Sequence, residues 1–177
     1  MTPLFLIFID GPMGSGKTTT TKLLNQKLPD TARIAMPDIK RLVPNYKENP
    51  KTLVVLKDVM GAMIDTYLEH GVSVIVELVT KTDGIEMLKR IAEKHNAKFY
   101  GYRLFAHEDK RQTRVHERTK EMMNVTDLPQ TKIEELTDYI TKNNQFYVDN
   151  PISSIESIDT TEINPEQVVE IILDKLS

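Results

Sequence analysis

The chain has 177 residues, enough for one domain with a substantial core and too few for two. Apolar residues make up 40% and charged residues 28%, an ordinary globular balance, and a formal net charge of −3 argues against a broad nucleic-acid footprint while leaving room for a local basic strip. Cysteine is absent, which excludes disulfides and thiolate chemistry and suits a reducing compartment, so the cytoplasm is the expected location.

The first ten residues, MTPLFLIFID, lack a basic start and carry only a six-residue apolar run. That is expected to be a buried strand over 4–9, neither signal peptide nor membrane span. Further apolar runs at 32–36, 72–78, 97–105 and 153–158 predict four more strands. Between them lie helix-length segments. Asn49 and Pro50 open one in which Leu53, Leu56, Met60, Met63 and Tyr67 recur on one face, with Gly71 as the stop. Asp83 and Glu86 have capping-box spacing ahead of Leu88, Ile91 and Ala92, and Asn164, Pro165 and Gln167 open the last helix in the same way. His70 and His95 fall at predicted helix ends beside Gly71 and Asn96. His107 and His116 are nine apart, which matches no metal pair on one helix, so no metal site of protein nitrogen is expected. Such alternation predicts an α/β domain over residues 1–177, with parallel strands joined by helical crossovers.

Between the first strand and the next helix-compatible segment stands GPMGSGKT, Gly11 to Thr18, which matches G-x-x-x-x-G-K-[ST] in its required setting. Gly11, Gly14 and Gly16 let the backbone curl so that amides, those of Met13 and Ser15 included, line a concave phosphate site. The helix start adds unpaired N–H groups and a positive dipole end. Lys17 offers a mobile cation to the outer phosphates, Thr18 a hydroxyl to magnesium, and Thr19 a donor to an inner phosphate. A polyphosphate with Mg2+ is therefore the expected ligand. Thr20 and Thr21 are expected to be packing or exposed residues.

On these residues the chain resembles the small P-loop kinases, across essentially its whole length. The resemblance implies a three-layer sandwich with a five-stranded parallel sheet and a mobile lid, here about 107–130, with 124–130 as its hinge or tip. It further implies that Asp38, just past the second strand, orients an attacking hydroxyl, and that Arg41, three residues on, grips an anionic group of the acceptor. Glu77, ending the third strand, would hold magnesium through water or contact the acceptor; the related patterns often carry Asp there. Arg111, Arg114 and Arg118 form one cationic stripe at helical spacing. By resemblance they belong to the lid, with Arg114 and Arg118 matching best as stabilisers of the transferring phosphoryl group. Thr160 and Thr161 lie where related loops touch the base.

The function expected is transfer of the γ-phosphoryl group of ATP to a hydroxyl or phosphate of a small acceptor: a nucleoside, nucleotide, sugar or antibiotic. A polynucleotide 5′-hydroxyl kinase fits Asp38 with Arg41 but lacks an obvious basic groove. A nucleotide-binding regulatory NTPase is the alternative of another class, and a toxin-like kinase of a cell-wall sugar is also compatible. No membrane partner is expected, and the protein is expected to be a monomer or homodimer.

Overall fold

In the computed structural model the described residues are 3–176; Met1, Thr2 and Ser177, which the readings of the first ten residues and of a 1–177 domain include, lie outside them. Five strands, β1 (Phe5–Asp10), β2 (Thr31–Ala35), β3 (Ser73–Glu77), β4 (Lys98–Phe105) and β5 (Glu156–Asp159), form an all-parallel sheet in the order β2-β3-β1-β4-β5. Among the described residues there are seven helices: α1 (Lys17–Lys27), α2 (Met36–Lys40), α3 (Pro50–Glu69), α4 (Thr82–Lys94), α5 (Glu108–Met123), α6 (Gln130–Asp149) and α7 (Pro165–Asp174).

All six residues of β1 are buried, as a central strand covered on both faces requires. Its alternation splits the core in two. Leu6 and Phe8 join Ile34, Val74 and Val76 against α3 and α4, whose Leu56, Met60, Ile64, Leu68, Ile85 and Leu88 are buried there. Phe5, Ile7 and Ile9 join Ile75, Leu104 and Ile158 against Leu24 of α1 and Val168, Val169 and Ile172 of α7. A third, smaller cluster lies apart from the sheet: Val115 of α5 with Leu128, and Leu136 and Ile140 of α6, closing over the side chain of Met13.

Three local readings need correction. The buried stripe of α3 runs through Leu56, Met60, Ile64 and Leu68, which recur every four positions, while Leu53, Met63 and Tyr67, which mixed spacings of three and four predict, are each more than a third exposed. Asp83 does not cap α4; Lys81 occupies that position without a side-chain bond, and Asp83 sits in the first turn, where its charge suits the helix dipole. Glu86 instead pairs with Lys89 at 3.0 Å. β5 begins at Glu156, leaving Ser153 in a loop. Elsewhere the caps form as spaced: the Asn49 side chain accepts from the Lys51 N–H, and Asn164 and Gln167 make both bonds of a capping box. His70 and His95 cap the C-termini of α3 and α4, and His95 Nε2 lies 2.8 Å from Asp65 Oδ1, tying the two helices together.

Candidate active site

The P-loop leaves the carboxyl end of β1, the central strand, and runs straight into α1, with Gly16 at the N-cap in a left-handed conformation. Two glycines are required for more than their torsion angles. A Cβ on Gly11 would collide with the Leu104 carbonyl, and one on Gly14, at φ 82°, would lie 2.7 Å from the Arg111 carbonyl oxygen. Inside the curl, the Lys17 ammonium donates to the Pro12 carbonyl at 2.9 Å. Burial pulls the pKa of Lys17 down to about 8, against the opposing pull of Glu77 and Asp10 and with the help of Arg118 and Arg111. Ser15 Oγ is buried with no hydrogen-bond partner among the described residues, a polar atom available to a polar ligand.

Glu77 closes the far side of this loop. Its Oε1 accepts the Thr18 hydroxyl at 2.5 Å, and its Oε2 accepts from the Thr21 hydroxyl at 3.1 Å and from Arg33 Nη2 at 2.7 Å. Arg33 continues outward to Asp38 Oδ2 at 3.0 Å, and Asp38 Oδ1 accepts from Arg41 at 2.6 Å. The result is a chain of alternating charge from the base of the P-loop to the surface, in which Glu77 is buried and Asp38 half exposed. Thr18 and Glu77 together offer two oxygens at one point, a donor set that fits a hard cation retaining most of its water. Thr21 is buried and holds Glu77, a more specific place than packing alone; Thr19 is exposed.

The three arginines of α5 part company in space. Arg111 is buried and spent on structure, donating to Ala106 O, Met13 O and Asn144 Oδ1; burial lowers its pKa. Arg114 reaches the Thr160 carbonyl at 2.7 Å and the Gly14 carbonyl at 3.4 Å, tying α5 to both the P-loop and the loop after β5. Arg118 has no hydrogen bond or ion pair among the described residues and lines the same cavity as Lys17. Thr160 and Thr161 are buried there too, the Thr160 hydroxyl lying 3.1 Å from the Ser15 carbonyl oxygen.

That cavity, of about 1050 Å3, gathers Met13 to Thr19, Glu77, Arg114, Arg118, Thr160 and Thr161 around one space. Asp38 and Arg41 do not line it. From the same segment Met36, Pro37 and Lys40 do, facing Leu78 and Val79 after β3. Sequence reasoning also missed Glu117 and Glu121 of α5 and Tyr139 and Asn143 of α6, all of which line the cavity. The α6 residues carried a signal: Tyr139, Asn143 and Tyr147 recur every four positions, one face of a helix. Tyr147 donates to Asp10 Oδ1 at 2.8 Å, and its pKa is pushed up, chiefly by burial and then by that carboxylate. Asp10 is fully buried and also bound by Arg103 at 2.7 Å, whose guanidinium lies over the Tyr147 ring.

A parallel sheet of this order with a lysine-bearing glycine loop at the head of its central strand is the fold of the small P-loop kinases. The chain belongs to the AAA domain family, whose model matches residues 6–142. Solved structures share the architecture at low identity. APS kinase of Mycobacterium tuberculosis, in complex with AMPPNP and APS, is 12% identical with a TM-score of 0.67, over 99% of each chain. A gluconokinase of Sinorhizobium meliloti is 13% identical with a TM-score of 0.59, over 99% of this chain and 92% of that one. The tunicamycin resistance protein of Deinococcus radiodurans is 21% identical with a TM-score of 0.58, over 98% of this chain and 96% of that one. No curated protein matches the sequence. Among the described residues no helix is long and apolar enough to cross a membrane.

Proposed function

We propose that the protein is an ATP- and magnesium-dependent kinase of a small acceptor. The observation that carries this reading is the convergence of three groups on one cavity: Lys17 folded over the P-loop, Thr18 hydrogen-bonded to Glu77, and Arg118 without a protein partner among the described residues. The P-loop amides and the N-terminus of α1 bind the phosphates. Thr18, with Glu77 behind it, would hold magnesium, which would supply neutralising charge to the outer phosphates. Lys17 and Arg118, which line the same cavity, would stabilise the charge spread over the oxygens of the transferring group. Arg114 fixes the loop of Thr160 and Thr161 beside the nucleotide, and the segment of about 107–130, which contains α5, acts as the lid.

The opposite wall sets the acceptor. Met36, Leu78 and Val79 give it an apolar floor and Lys40 a cation, suited to a small molecule with an apolar body and an anionic or hydroxyl-rich end. Asp38 and Arg41 belong to the same segment as Lys40 without lining the cavity, and in this reading Asp38 orients the acceptor hydroxyl. The formal net charge of −3 favours such a molecule over a polynucleotide end.

The test is a panel of nucleosides, nucleotides, sugars, aminated antibiotics and oligonucleotides offered with radiolabelled ATP. One acceptor that takes up label and accelerates ATP turnover at least tenfold is the expected result. Slow turnover indifferent to every acceptor would favour a regulatory NTPase instead.

A further inference from the structure

One peptide of the P-loop is held at both of its polar ends. The Pro12 carbonyl accepts from Lys17 Nζ at 2.9 Å, and the N–H of Met13, the other end of the same rigid amide plane, donates to Asn143 Oδ1 at 2.7 Å. Asn143 comes from α6, far along the chain, and its neighbours repeat the grip. Asn144 accepts from Arg111, which donates in turn to the Met13 carbonyl, and Tyr147 bonds Asp10 where the loop begins. The Met13 side chain is packed against Val115, Leu128, Leu136 and Ile140. Because the amide plane turns as a unit, whatever fixes the N–H also fixes the acceptor of Lys17. An acceptor on the N–H further polarises the amide, placing more negative charge on the carbonyl oxygen that holds the ammonium.

We propose that Asn143 is a positioning residue that, by accepting the Met13 N–H, aims and polarises the Pro12 carbonyl and so holds the Lys17 ammonium toward the cavity. In this way α6 sets the grip of the P-loop on its ligand. The consequence for phosphate binding rests on the kinase reading, but the coupling of Asn143 to Lys17 does not.

The coupling is therefore read without nucleotide, by acylating the full-length protein with a small anhydride at one fixed pH and quantifying Lys17 modification by mass spectrometry. Asn143→Leu keeps the volume and loses the acceptor, and Asn143→Ala loses both; melting temperatures identify any variant that fails to fold, and either variant suffices. Glu77 and Asp10, which face Lys17 and favour its charge, and Arg118 and Arg111, which oppose it, are left untouched. Without the Asn143 acceptor the Pro12 carbonyl is no longer aimed at the ammonium, the Lys17 side chain is freer to meet the reagent, and its labelling at that pH should rise about threefold. Mg·ATP affinity, measured by calorimetry, should fall about tenfold. Unchanged Lys17 labelling in a folded variant would overturn the proposal, as would an effect in Asn143→Ala that Asn143→Leu repairs, since that pattern belongs to packing. If labelling rises as expected while wild-type protein binds no Mg·ATP, the kinase reading falls and the coupling stands.

Discussion

The two carboxylates joined by Arg33 share a partner and little else. Glu77 is 3% exposed and has both oxygens committed, to Thr18, Thr21 and Arg33; Asp38 is 50% exposed and held by Arg33 and by Arg41, itself 78% exposed. Around Glu77, hydrogen bonds inside a water-poor loop occupy both carboxylate oxygens, and losing one partner strands the other. Around Asp38, water does most of the solvating, and the same two-point contact adds little. The Glu77 side of the cavity is thus costly to alter, whereas the Asp38 contact can be rewritten at small expense in stability. Under the proposed function, this difference would let one fold serve many acceptors.

The sharpest test is Lys17→Met. It should weaken Mg·ATP binding by at least 100-fold in calorimetry, since a charge-assisted contact is lost in a shielded site. It should also stabilise the unliganded protein. The folded pKa of Lys17 is lowered from 10.5 to about 8, so below pH 8 both states carry the charge and the wild type bears the full burial penalty, on the order of 3 kcal/mol. As pH climbs from 8 towards 10.5 the folded lysine has already lost its proton and the unfolded one follows. The advantage of Lys17→Met in urea unfolding should therefore shrink across that window, and a gap independent of pH would mean that the amine is better solvated than its surroundings imply.

Glu77→Gln comes next. Urea midpoints should show a loss of about 3 kcal/mol, because Arg33 keeps its charge and loses its buried partner, and phosphoryl transfer should fall with it. Arg118→Ala should lower transfer about 100-fold with an unchanged midpoint. Arg114→Ala, which breaks bonds to Thr160 and Gly14, should lower the midpoint by about 1–2 kcal/mol. The smallest effect belongs to Asp38→Asn: less than about 1 kcal/mol in stability, with Mg·ATP binding kept and transfer lost. Equal stability losses at Glu77 and Asp38 would break the contrast between the two carboxylates, and full transfer in Asp38→Asn would remove that residue from the proposed acceptor site.

The P-loop was legible because it is local. Its glycines, lysine and threonine are contiguous, and the strand and helix that flank it announce themselves by apolar runs and periodicity. Glu77 was legible by its place at a strand end, although the role of Thr21 as its second hydroxyl partner was not. The arginines of α5 looked alike at spacings of three and four, yet one is buried between the P-loop and α6, one binds the Thr160 loop, and one faces the cavity. Helical spacing fixes which side of a helix a residue is on, and says nothing of what stands opposite.

From its residues alone the chain settled the alternation of strand and helix, the caps at Asn49 and Asn164, and the curled loop at Gly11 to Thr18, since each depends on torsion preferences and on neighbours a few positions away. Only the folded molecule decided that Asn143 meets Met13 across 130 residues, that Arg33 joins Glu77 to Asp38, and that Lys40, not Arg41, lines the cavity. Those pairings follow from where the sheet and its covering helices bring distant backbone together, and polar side chains find their partners only after the apolar core has fixed that frame.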